Sequence, residues 1–343
     1  MEPLVRVPKD LLDGSSEPLS GDIVVRVDGG GTKTLAAAYD RARGTLTIGK
    51  GGPSNPDAVG EAQATESLEQ AVLDALESDR SGGDVAAAVF AVAGTDTDAL
   101  ERTVDGAFDY LRAFVVNDVV AAWGASTGCR PGVAAICGTG SNIFGVGNDG
   151  SSWRAGGWGH ILGDEGSGYW LGVQGINAAL AARDASGPPT ALFDAAPEHF
   201  QVASVEALAA HTYAKPLTKG ELASFARIVA ERGADGDEVA AALLARAGTL
   251  LAAHAQAVIA HTGLADGDFL LGKVGSTWKA GALLNDAFDD AVRRTAPEAR
   301  FELVETPPVH GALLLAGRAA GFWRDDAPAD LPSLVEDALA RAE

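Results

Sequence analysis

The stretch VAAICGTGSNIFGVGNDGSSWRAGGWGHILGDEGSGYWLGVQGIN, residues Val133–Asn177, decides the fold of this chain. It contains an apolar run (Val133–Cys137), a Gly-Thr-Gly-Ser turn (Gly138–Ser141), a second apolar run (Ile143–Val146) and then a loop dense in glycine. Glycine adopts torsions closed to other residues and lets a ligand approach main-chain N–H groups. The stretch therefore predicts two strands joined by a turn that binds a ligand.

A second glycine turn supports this interpretation. The sequence DGGGTKT (Asp28–Thr34) also follows an apolar run directly, here Ile23–Val27. One glycine-rich loop is weak evidence, but two strand–glycine–hydroxyl units in one chain indicate a nucleotide phosphate tail gripped from both sides.

The charge of the chain excludes several classes of partner. Its 343 residues include 47 Asp plus Glu against 26 Lys plus Arg, a formal net charge of −21. Such a surface repels nucleic acid and anionic lipid, so neither nucleic acid nor a membrane is expected as a partner. We interpret the acidity as adaptation to a salt-rich cytoplasm and not as a functional signal.

The two cysteines, Cys129 and Cys137, predict buried inert thiols and no disulfide or metal site. No apolar stretch of 18 residues is uninterrupted, and residues 1–22 lack the apolar core of a signal peptide. We therefore expect a cytoplasmic protein with a loosely attached N-terminal tail, Met1–Gly21.

Strands alternate with helices along the chain, which predicts an α/β fold. Each half begins with a strand meander beside a glycine turn and then adds helices, so we expect two duplicated lobes with a central cleft. The first lobe is predicted as residues 22–128 plus a terminal helix at 331–342, and the second as 129–330 with a helical insert. The predicted strands are 23–27, 35–39, 44–49, 84–94, 113–116, 133–137, 143–147, 152–155, 269–274 and 300–304; the predicted helices include 57–77, 97–105, 118–126, 237–261, 309–319 and 331–342.

At these motifs the chain resembles the actin-like ATPase superfamily of sugar kinases, with its two-lobed ribonuclease H-like fold. More narrowly it is similar to the N-acetylglucosamine kinases and BadF/BadG/BcrA/BcrD-type ATPases, from about Asp22 to the end. DGGGTKT, Asn117-Asp118, GTGSN, GGWGHILGDEGSGYWLG (Gly156–Gly172) and GSTWKAG (Gly275–Gly281) come in the family's order. GGWGH followed closely by GDEGSGYWLG is the most specific of them.

The resemblance implies an ATP-dependent kinase that phosphorylates an amino sugar, first N-acetylglucosamine at the 6-hydroxyl and second glucosamine. Its cofactors would be ATP and Mg²⁺, with Asp28 orienting Mg²⁺ through water or, alternatively, only forming a turn. Lys33 is either a phosphate partner or a surface residue. The phosphate-binding residues implied are Gly29, Gly30, Gly31, Thr32, Lys33, Gly138, Thr139 and Gly140.

Asp118 is the implied general base, because it matches the family's Asn-Asp position. From the sequence alone an ordinary helix N-cap is the better interpretation of this residue. A lone tryptophan is more often a core residue than a ligand platform, but glycines flank Trp158 in this sequence. The sugar-binding residues implied are Asn55, Asp118, Ser141, Asn142, Gly157, Trp158, Gly159 and Asp164.

Four residues would border the adenosine: Gly272, Gly275, Ser276 and Lys279. Lys273 interrupts the run of small residues that the family often has here, which places the adenine contacts in question. His254 and His261 are expected as packing or surface residues.

Two other functions fit parts of the pattern. An ATPase that activates a partner reductase or dehydratase through an iron–sulphur cluster would need cysteine ligands in a cluster loop. A sugar-responsive regulator would need a DNA-binding domain, for which residues 1–21 are too short and the charge is of the wrong sign. A homodimer is expected by analogy with relatives only.

Overall fold

The computed structural model describes residues 5, 7–15, 19–29, 33–54, 59–76, 81–92, 98–109, 111–305, 308–323 and 327–342. By its contacts the chain divides into two units. The first unit comprises Met1–Gly132, Val146–Trp153 and Val304–Glu343, and the second comprises Val133–Gly145 and Arg154–Leu303. This partition differs from the lobes predicted above, since residues 304–330 belong to the first unit.

The strands of the first sheet are β1 Ile23–Gly29, β2 Thr34–Asp40, β3 Thr45–Gly51, β4 Val85–Val92 and β5 Ala113–Asn117. Those of the second sheet are β6 Gly132–Cys137, β7 Ser141–Val146, β8 Ser152–Gly156, β9 Phe269–Val274 and β10 Ala299–Val304. The described helices are α1 Lys9–Asp13, α2 Glu61–Ala75, α3 Asp98–Ala107, α4 Asp118–Thr127, α5 Gly159–Leu162, α6 Gly168–Arg183, α7 Leu192–His199, α8 Val205–Ala214, α9 Lys219–Ser224, α10 Ala226–Ala234, α11 Glu238–His261, α12 Ala282–Arg293, α13 Pro308–Ala319 and α14 Leu331–Ala342.

The two sheets have the same strand order. The first runs β3-β2-β1-β4-β5, and the second, read from its β8 edge, runs β8-β7-β6-β9-β10, so each reads third, second, first, fourth, fifth. In the first sheet β1–β2 and β2–β3 pair antiparallel, whereas β4 pairs parallel with both β1 and β5. The predicted α/β fold with duplicated halves is therefore confirmed.

One face of the first sheet packs against α2. Val25 and Val27 point to it, and Leu68 and Val72 meet them in a common core. The spacing of apolar residues in this segment predicts a buried side formed by Ala62, Leu68, Val72, Leu73 and Leu76; the prediction is wrong at Ala62, which is exposed, and at Leu73, which is 63% exposed. Leu73 follows Val72 by one residue, and successive helical residues point about 100° apart.

The opposite face of the first sheet is covered by α4 and α13, which contact each other and β4. The helix α14 contacts β3 and α13. The described part of the N-terminal tail also packs here, because Leu11 is fully buried and the Ser15 N–H donates to the Arg318 carbonyl at 3.0 Å. The expectation of a loosely attached tail is wrong for these residues.

The second unit carries the helical insert α5–α11 between β8 and β9. Its longest helix, α11, is the single described helix with the length and composition to cross a membrane. Leu244, Leu251 and Val258 are fully buried, however, and α11 packs on α10 and α12. The predicted buried helix at 237–261 is confirmed as a core element of this unit.

Candidate active site

The glycine turn between β6 and β7 is fixed through its carbonyl groups. The Gly138 carbonyl accepts from the Gly168 N–H at 2.8 Å and from the Thr277 hydroxyl at 2.9 Å, and the Thr139 carbonyl accepts from the Tyr169 N–H at 3.2 Å. The turn is thus tied to the start of α6 and to the turn after β9. Such anchoring pre-organises main-chain groups for an anionic ligand.

A cavity of about 580 Å³ opens beside this turn within the second unit. It brings together four predicted residues, Gly138, Thr139, Ser276 and Lys279. Its other lining residues come mainly from α9 and α10: Gly168, Leu171, Gly220, Ala223, Ser224, Ala226, Arg227, Ala230, Thr277 and Ala280. Sequence reasoning missed the α9–α10 wall, because nothing local in that polar, Ala-rich stretch marks it as a binding surface.

Gly272 and Gly275 do not line the cavity. Gly275 has φ +112°, and a Cβ there would collide with the Cys137 carbonyl. Its role in this structure is the close approach of two turns, which needs glycine.

Lys273 does not line the cavity either. Its side chain points to α12, where Nζ lies 2.6 Å from Asp289 Oδ1 and 2.9 Å from Asn285 Oδ1. It also lies within 5.6 Å of the ring centroids of Trp278 and Phe288. The Lys273 ammonium therefore belongs to the packing of β9 on α12, and the adenosine contacts stay a prediction.

A second cluster lies next to the glycine turn. Asp164 is buried, with φ +60°, and its Oδ1 accepts from the Ser141 N–H at 3.1 Å. The Ser141 hydroxyl donates to the Glu165 carbonyl at 2.9 Å, and the Gly157 N–H donates to the Ser141 carbonyl at 3.0 Å. A Cβ at Gly157 would come within 2.6 Å of Asn142 Nδ2. The structure thus brings together four predicted sugar-binding residues, and we name them the Asp164 cluster: Ser141, Asn142, Gly157 and Asp164.

Trp158 and Gly159 border this cluster on a more open side. Trp158 is 59% exposed, with the Arg154 guanidinium 5.5 Å from its ring centroid. Gly159 has φ +78° and starts the short helix α5. The indole is therefore a surface group in this structure and not part of the core.

His254 of α11 lies behind the Asp164 cluster. Its Nε2 is 4.0 Å from Glu165 Oε2, and its Nδ1 would be 3.0 Å from a Cβ on Gly156. Sequence reasoning gave this histidine no role beyond packing or the surface, and no local signal links it to residues so distant in sequence.

In the first unit, Gly29 at the end of β1 and Thr34 at the start of β2 flank the glycine turn and pair with each other. The Thr34 hydroxyl is hydrogen-bonded to the Gly52 carbonyl at 2.6 Å and to the Ser54 hydroxyl at 2.7 Å. Lys33 is exposed. The predicted phosphate-binding residues Gly30, Gly31 and Thr32 and the predicted sugar-binding Asn55 lie outside the described residues.

Asp28 points out of β1 beside a buried arginine. Arg26 Nη2 lies 3.0 Å from Asp28 Oδ2, with side-chain exposures of 2% and 51% respectively. Burial lowers the pKa of the Arg26 guanidinium, and the attraction of Asp28 opposes that shift. Asp28 is therefore a half-exposed carboxylate with one oxygen held by a cation.

Asp118 is the first residue of α4 and is exposed. The helix cap is Asn117, whose Oδ1 accepts from the Val119 N–H at 3.2 Å. The alternative that Asp118 is an ordinary N-cap is therefore wrong, since its neighbour takes that position.

The comparisons with known proteins agree with the motifs. A model of the BadF/BadG/BcrA/BcrD ATPase family matches residues 25–316. The chain belongs to this family. As a BadF/BadG/BcrA/BcrD ATPase it uses ATP, and the family resemblance stated from the sequence is confirmed.

Several members of known description are similar to this ATPase along most of its length. It is 29% identical over 298 residues to the N-acetylmuramic acid/N-acetylglucosamine kinase of Clostridium acetobutylicum, covering 85% of this chain and 97% of that one. It is also 29% identical over 315 residues to the N-acetyl-D-glucosamine kinase of Dictyostelium discoideum, covering 87% and 98%. Among solved structures, a Chromobacterium violaceum protein provisionally assigned as an N-acetylglucosamine kinase aligns with a TM-score of 0.63 at 25% identity, covering 86% and 99%.

The residues of this family member fit Mg²⁺ only in an outer-sphere manner. Among the described residues no group of three or more His, Cys, Asp or Glu side chains forms a metal cage. Asp28 offers one half-exposed carboxylate at the glycine turn. A single carboxylate acting through water suits Mg²⁺, which keeps several waters and takes its remaining ligands from substrate phosphates.

Proposed function

We propose that this protein is an ATP-dependent kinase that transfers the γ-phosphoryl group to an amino sugar. N-acetylglucosamine, phosphorylated at its 6-hydroxyl, is the first candidate substrate, and glucosamine is the second. The observation that carries the proposal is the buried Asp164 beside the glycine turn, with Oδ1 fixed by the Ser141 N–H. A phosphate turn adjoining a buried carboxylate suits a polyhydroxylated acceptor, because carboxylates accept hydrogen bonds from hydroxyl groups.

In this proposal the second unit binds both substrates. The anchored turn Gly138–Gly140 binds the phosphate chain, while the cavity lined by α9 and α10, which Ser276 and Lys279 also line, takes the adenosine. The Asp164 cluster binds the sugar hydroxyls. Phosphoryl transfer asks a protein mainly for such positioning and for charge neutralisation.

The first unit supplies the remaining roles in the proposal. Asp118 accepts the proton of the 6-hydroxyl as that oxygen forms its bond to the γ-phosphorus and the bond to the β-phosphate oxygen breaks, so that ADP leaves. Asp28 holds the water shell of Mg²⁺, which when bound neutralises the β- and γ-phosphates. Gly29 and Lys33 belong to the second phosphate-contacting turn.

The names of the relatives support an amino-sugar acceptor. Both curated relatives act, by name, on N-acetylglucosamine, and one of them also on N-acetylmuramic acid. The partner-activating ATPase fits less well, because both cysteines are buried and the Cys137 thiol is directed to the Gly166 carbonyl at 3.5 Å. A cytoplasmic location, a homodimer and a salt-adapted source stay predictions from the sequence.

A coupled ATP-consumption assay with Mg²⁺ in molar KCl tests the proposal. It is run on glucose, glucosamine, N-acetylglucosamine, N-acetylmannosamine and N-acetylmuramic acid. We expect turnover with N-acetylglucosamine above the other sugars, and ³¹P NMR of the product should show a 6-phosphate. ATP hydrolysis at one rate with every sugar and with none would contradict a kinase and favour the partner-activating ATPase.

A further inference from the structure

One lysine of the helical insert reaches the centre of the proposed site. Lys219 Nζ lies 2.7 Å from Asp164 Oδ2, and the two side chains are 34% and 4% exposed. A buried carboxylate needs a partner, because desolvation of an unpaired charge is costly. The simplest explanation of this ion pair is that Lys219 only neutralises the charge of Asp164.

The position of the ammonium relative to the glycine turn argues for more. A Cβ built on Gly140 would lie 2.9 Å from Lys219 Nζ and 2.9 Å from Asp164 Oδ1. The ammonium is therefore in contact distance of the turn proposed to bind phosphate, and its side chain is one-third exposed. The ammonium thus lies next to the carboxylate and next to the turn.

The helix that carries Lys219 is held firmly. Thr218 caps it, accepting from the Glu221 N–H at 3.2 Å, while the Glu221 carboxylate accepts from the Thr218 N–H at 2.7 Å. Lys219 is the first residue of this helix, and Gly220, Ala223 and Ser224 of the same helix line the cavity beside Gly138 and Thr139. One rigid element thus supplies a wall of the adenosine cavity and a cation at the phosphate turn.

The overall charge makes such a cation valuable. The chain carries a formal −21, so the general field of the protein repels a nucleotide triphosphate. Local ammonium groups must offset that repulsion where the phosphates bind. Of the lysines at this site, Lys279 lines the cavity and Lys219 lies against the glycine turn.

We infer that Lys219 binds the terminal phosphates of ATP: when ATP binds, the ammonium exchanges its ion pair with Asp164 for phosphate oxygens and leaves that carboxylate to accept from the sugar hydroxyls. The inference rests on the proposed kinase function and deepens it. Lys219 stays protonated throughout. As the bond from the γ-phosphorus to the β-phosphate oxygen breaks and the bond to the sugar oxygen forms, the ammonium offsets negative charge on the transferring phosphoryl oxygens.

Ligand binding measured by calorimetry separates this role from simple neutralisation of Asp164. The variants are Lys219→Met, Lys219→Arg and the matched control Lys215→Met, a nearby exposed lysine outside the cavity lining. The ligands are the β,γ-imido analogue of ATP with Mg²⁺, and AMP. AMP shares the adenosine but lacks the terminal phosphates.

We expect Lys219→Met to weaken binding of the analogue by about 10- to 100-fold, the usual range for losing a hydrogen bond to a charged group. AMP affinity should stay within about twofold of wild type, Lys219→Arg should retain most of the affinity, and Lys215→Met should change neither value. An unchanged affinity for the analogue in Lys219→Met would overturn the inference, and so would an equal loss for AMP.

Two further measurements keep the result interpretable. If Lys219→Met does not fold, as judged by thermal melting, the pair Lys219→Met with Asp164→Asn removes both charges, and its affinity for the analogue must still fall. The binding experiment needs no turnover. Wild-type protein that binds the analogue but never phosphorylates a sugar would refute the kinase proposal and leave the Lys219 result standing.

Discussion

The two sheets share one strand order, yet the segments that connect their third and fourth strands differ greatly. In the first unit residues 52–84 join β3 to β4, and their described part holds α2 and a short 3₁₀ turn. In the second unit residues 157–268 join β8 to β9 and form the seven helices α5–α11. The cavity and the Asp164 cluster both depend on this longer segment.

The difference separates what the repeat supplies from what the insert supplies. The repeated sheet gives each unit a glycine turn after its first strand, Asp28–Thr34 in one and Gly138–Ser141 in the other. The insert alone adds the α9–α10 wall of the cavity and the buried carboxylate of Asp164. In the proposed function, general phosphate binding thus comes with the duplicated fold, and discrimination between ligands comes with the second unit.

The largest effect is expected from the first unit, at Asp118. If the unit supplies the general base, Asp118→Asn should lower kcat by about 10³-fold, within the range of lost base catalysis. Affinity for the ATP analogue and thermal stability should change little, because Asn117 is the helix cap. Steady-state kinetics and melting curves test this.

Asn117→Ala is the matched control for Asp118. It should cost about 1 kcal/mol of stability, the usual value of an N-cap, and leave kcat for the folded enzyme within a few-fold. A kcat for Asp118→Asn within threefold of wild type would remove the catalytic role from the first unit.

Among the described residues, Arg26 in the first unit and Lys273 in the second are buried cationic side chains, and the exposure of their partners predicts different losses of stability. Lys273→Met leaves Asp289, a side chain only 16% exposed, without its ammonium, so we expect a loss of about 3 kcal/mol in the free energy of unfolding. Arg26→Met leaves Asp28, which is 51% exposed and can be solvated, so we expect about 1 kcal/mol or less. Urea titrations compare the two, and equal losses would contradict the distinction.

Within the glycine turn of the second unit, Gly140 should tolerate no side chain. Gly140→Ala places a Cβ 2.9 Å from Asp164 Oδ1 and Lys219 Nζ, and should weaken binding of the ATP analogue at least about 10-fold, or about 1.4 kcal/mol. The control is Gly106→Ala in α3, where a Cβ meets nothing within 4 Å. Because alanine favours the helix, Gly106→Ala should leave the stability unchanged or raise it slightly, and it should leave the affinity for the ATP analogue unchanged. Equal affinities of the two variants in calorimetry would contradict the packing argument.

The smallest effect concerns the insert and pH. Burial raises the pKa of Asp237. Hydrogen bonds from the N–H groups of Ala240 and Ala191 and from the Thr190 hydroxyl together lower the pKa by more than burial raises it, so the net shift is downward. A carboxyl group with a lowered pKa in the folded state stabilises the protein above its unfolded value of 3.8, and this contribution is lost as the pH falls below that value.

Asp237→Asn should therefore cost about 1 kcal/mol or less near pH 7, and this cost should shrink as the pH falls below 3.8. Chemical denaturation at several pH values measures this. A difference between variant and wild type that grows as the pH falls would contradict the assignment.

Local patterns predicted most of the sheets. The strands β1, β2, β6 and β7 follow from short apolar runs interrupted by glycine turns, and α11 follows from its length and apolar spacing. These signals lie within a few residues of each other, so one sequence is enough to detect them.

Contacts between distant segments were not predictable. The Lys219–Asp164 ion pair joins α9 to a loop before α6, and no spacing rule links the two. Lys273 lies in β9, where all residues but Leu270 are buried, so alternation could not indicate which face the lysine takes. Arg26, between Val25 and Val27, is buried because helices cover both faces of that sheet, and that covering cannot be read from the residues next to it.

The two native thiols should not react with thiol-directed labels, so a cysteine introduced elsewhere could be labelled selectively. Burial raises the pKa of Cys129 and of Cys137 to about 12, so at neutral pH only about one thiol in 10⁵ is the nucleophilic thiolate. A maleimide fluorophore should therefore leave the wild-type protein unmodified. A single Tyr213→Cys substitution, at a side chain 91% exposed on α8 of the insert, would then report on that segment alone.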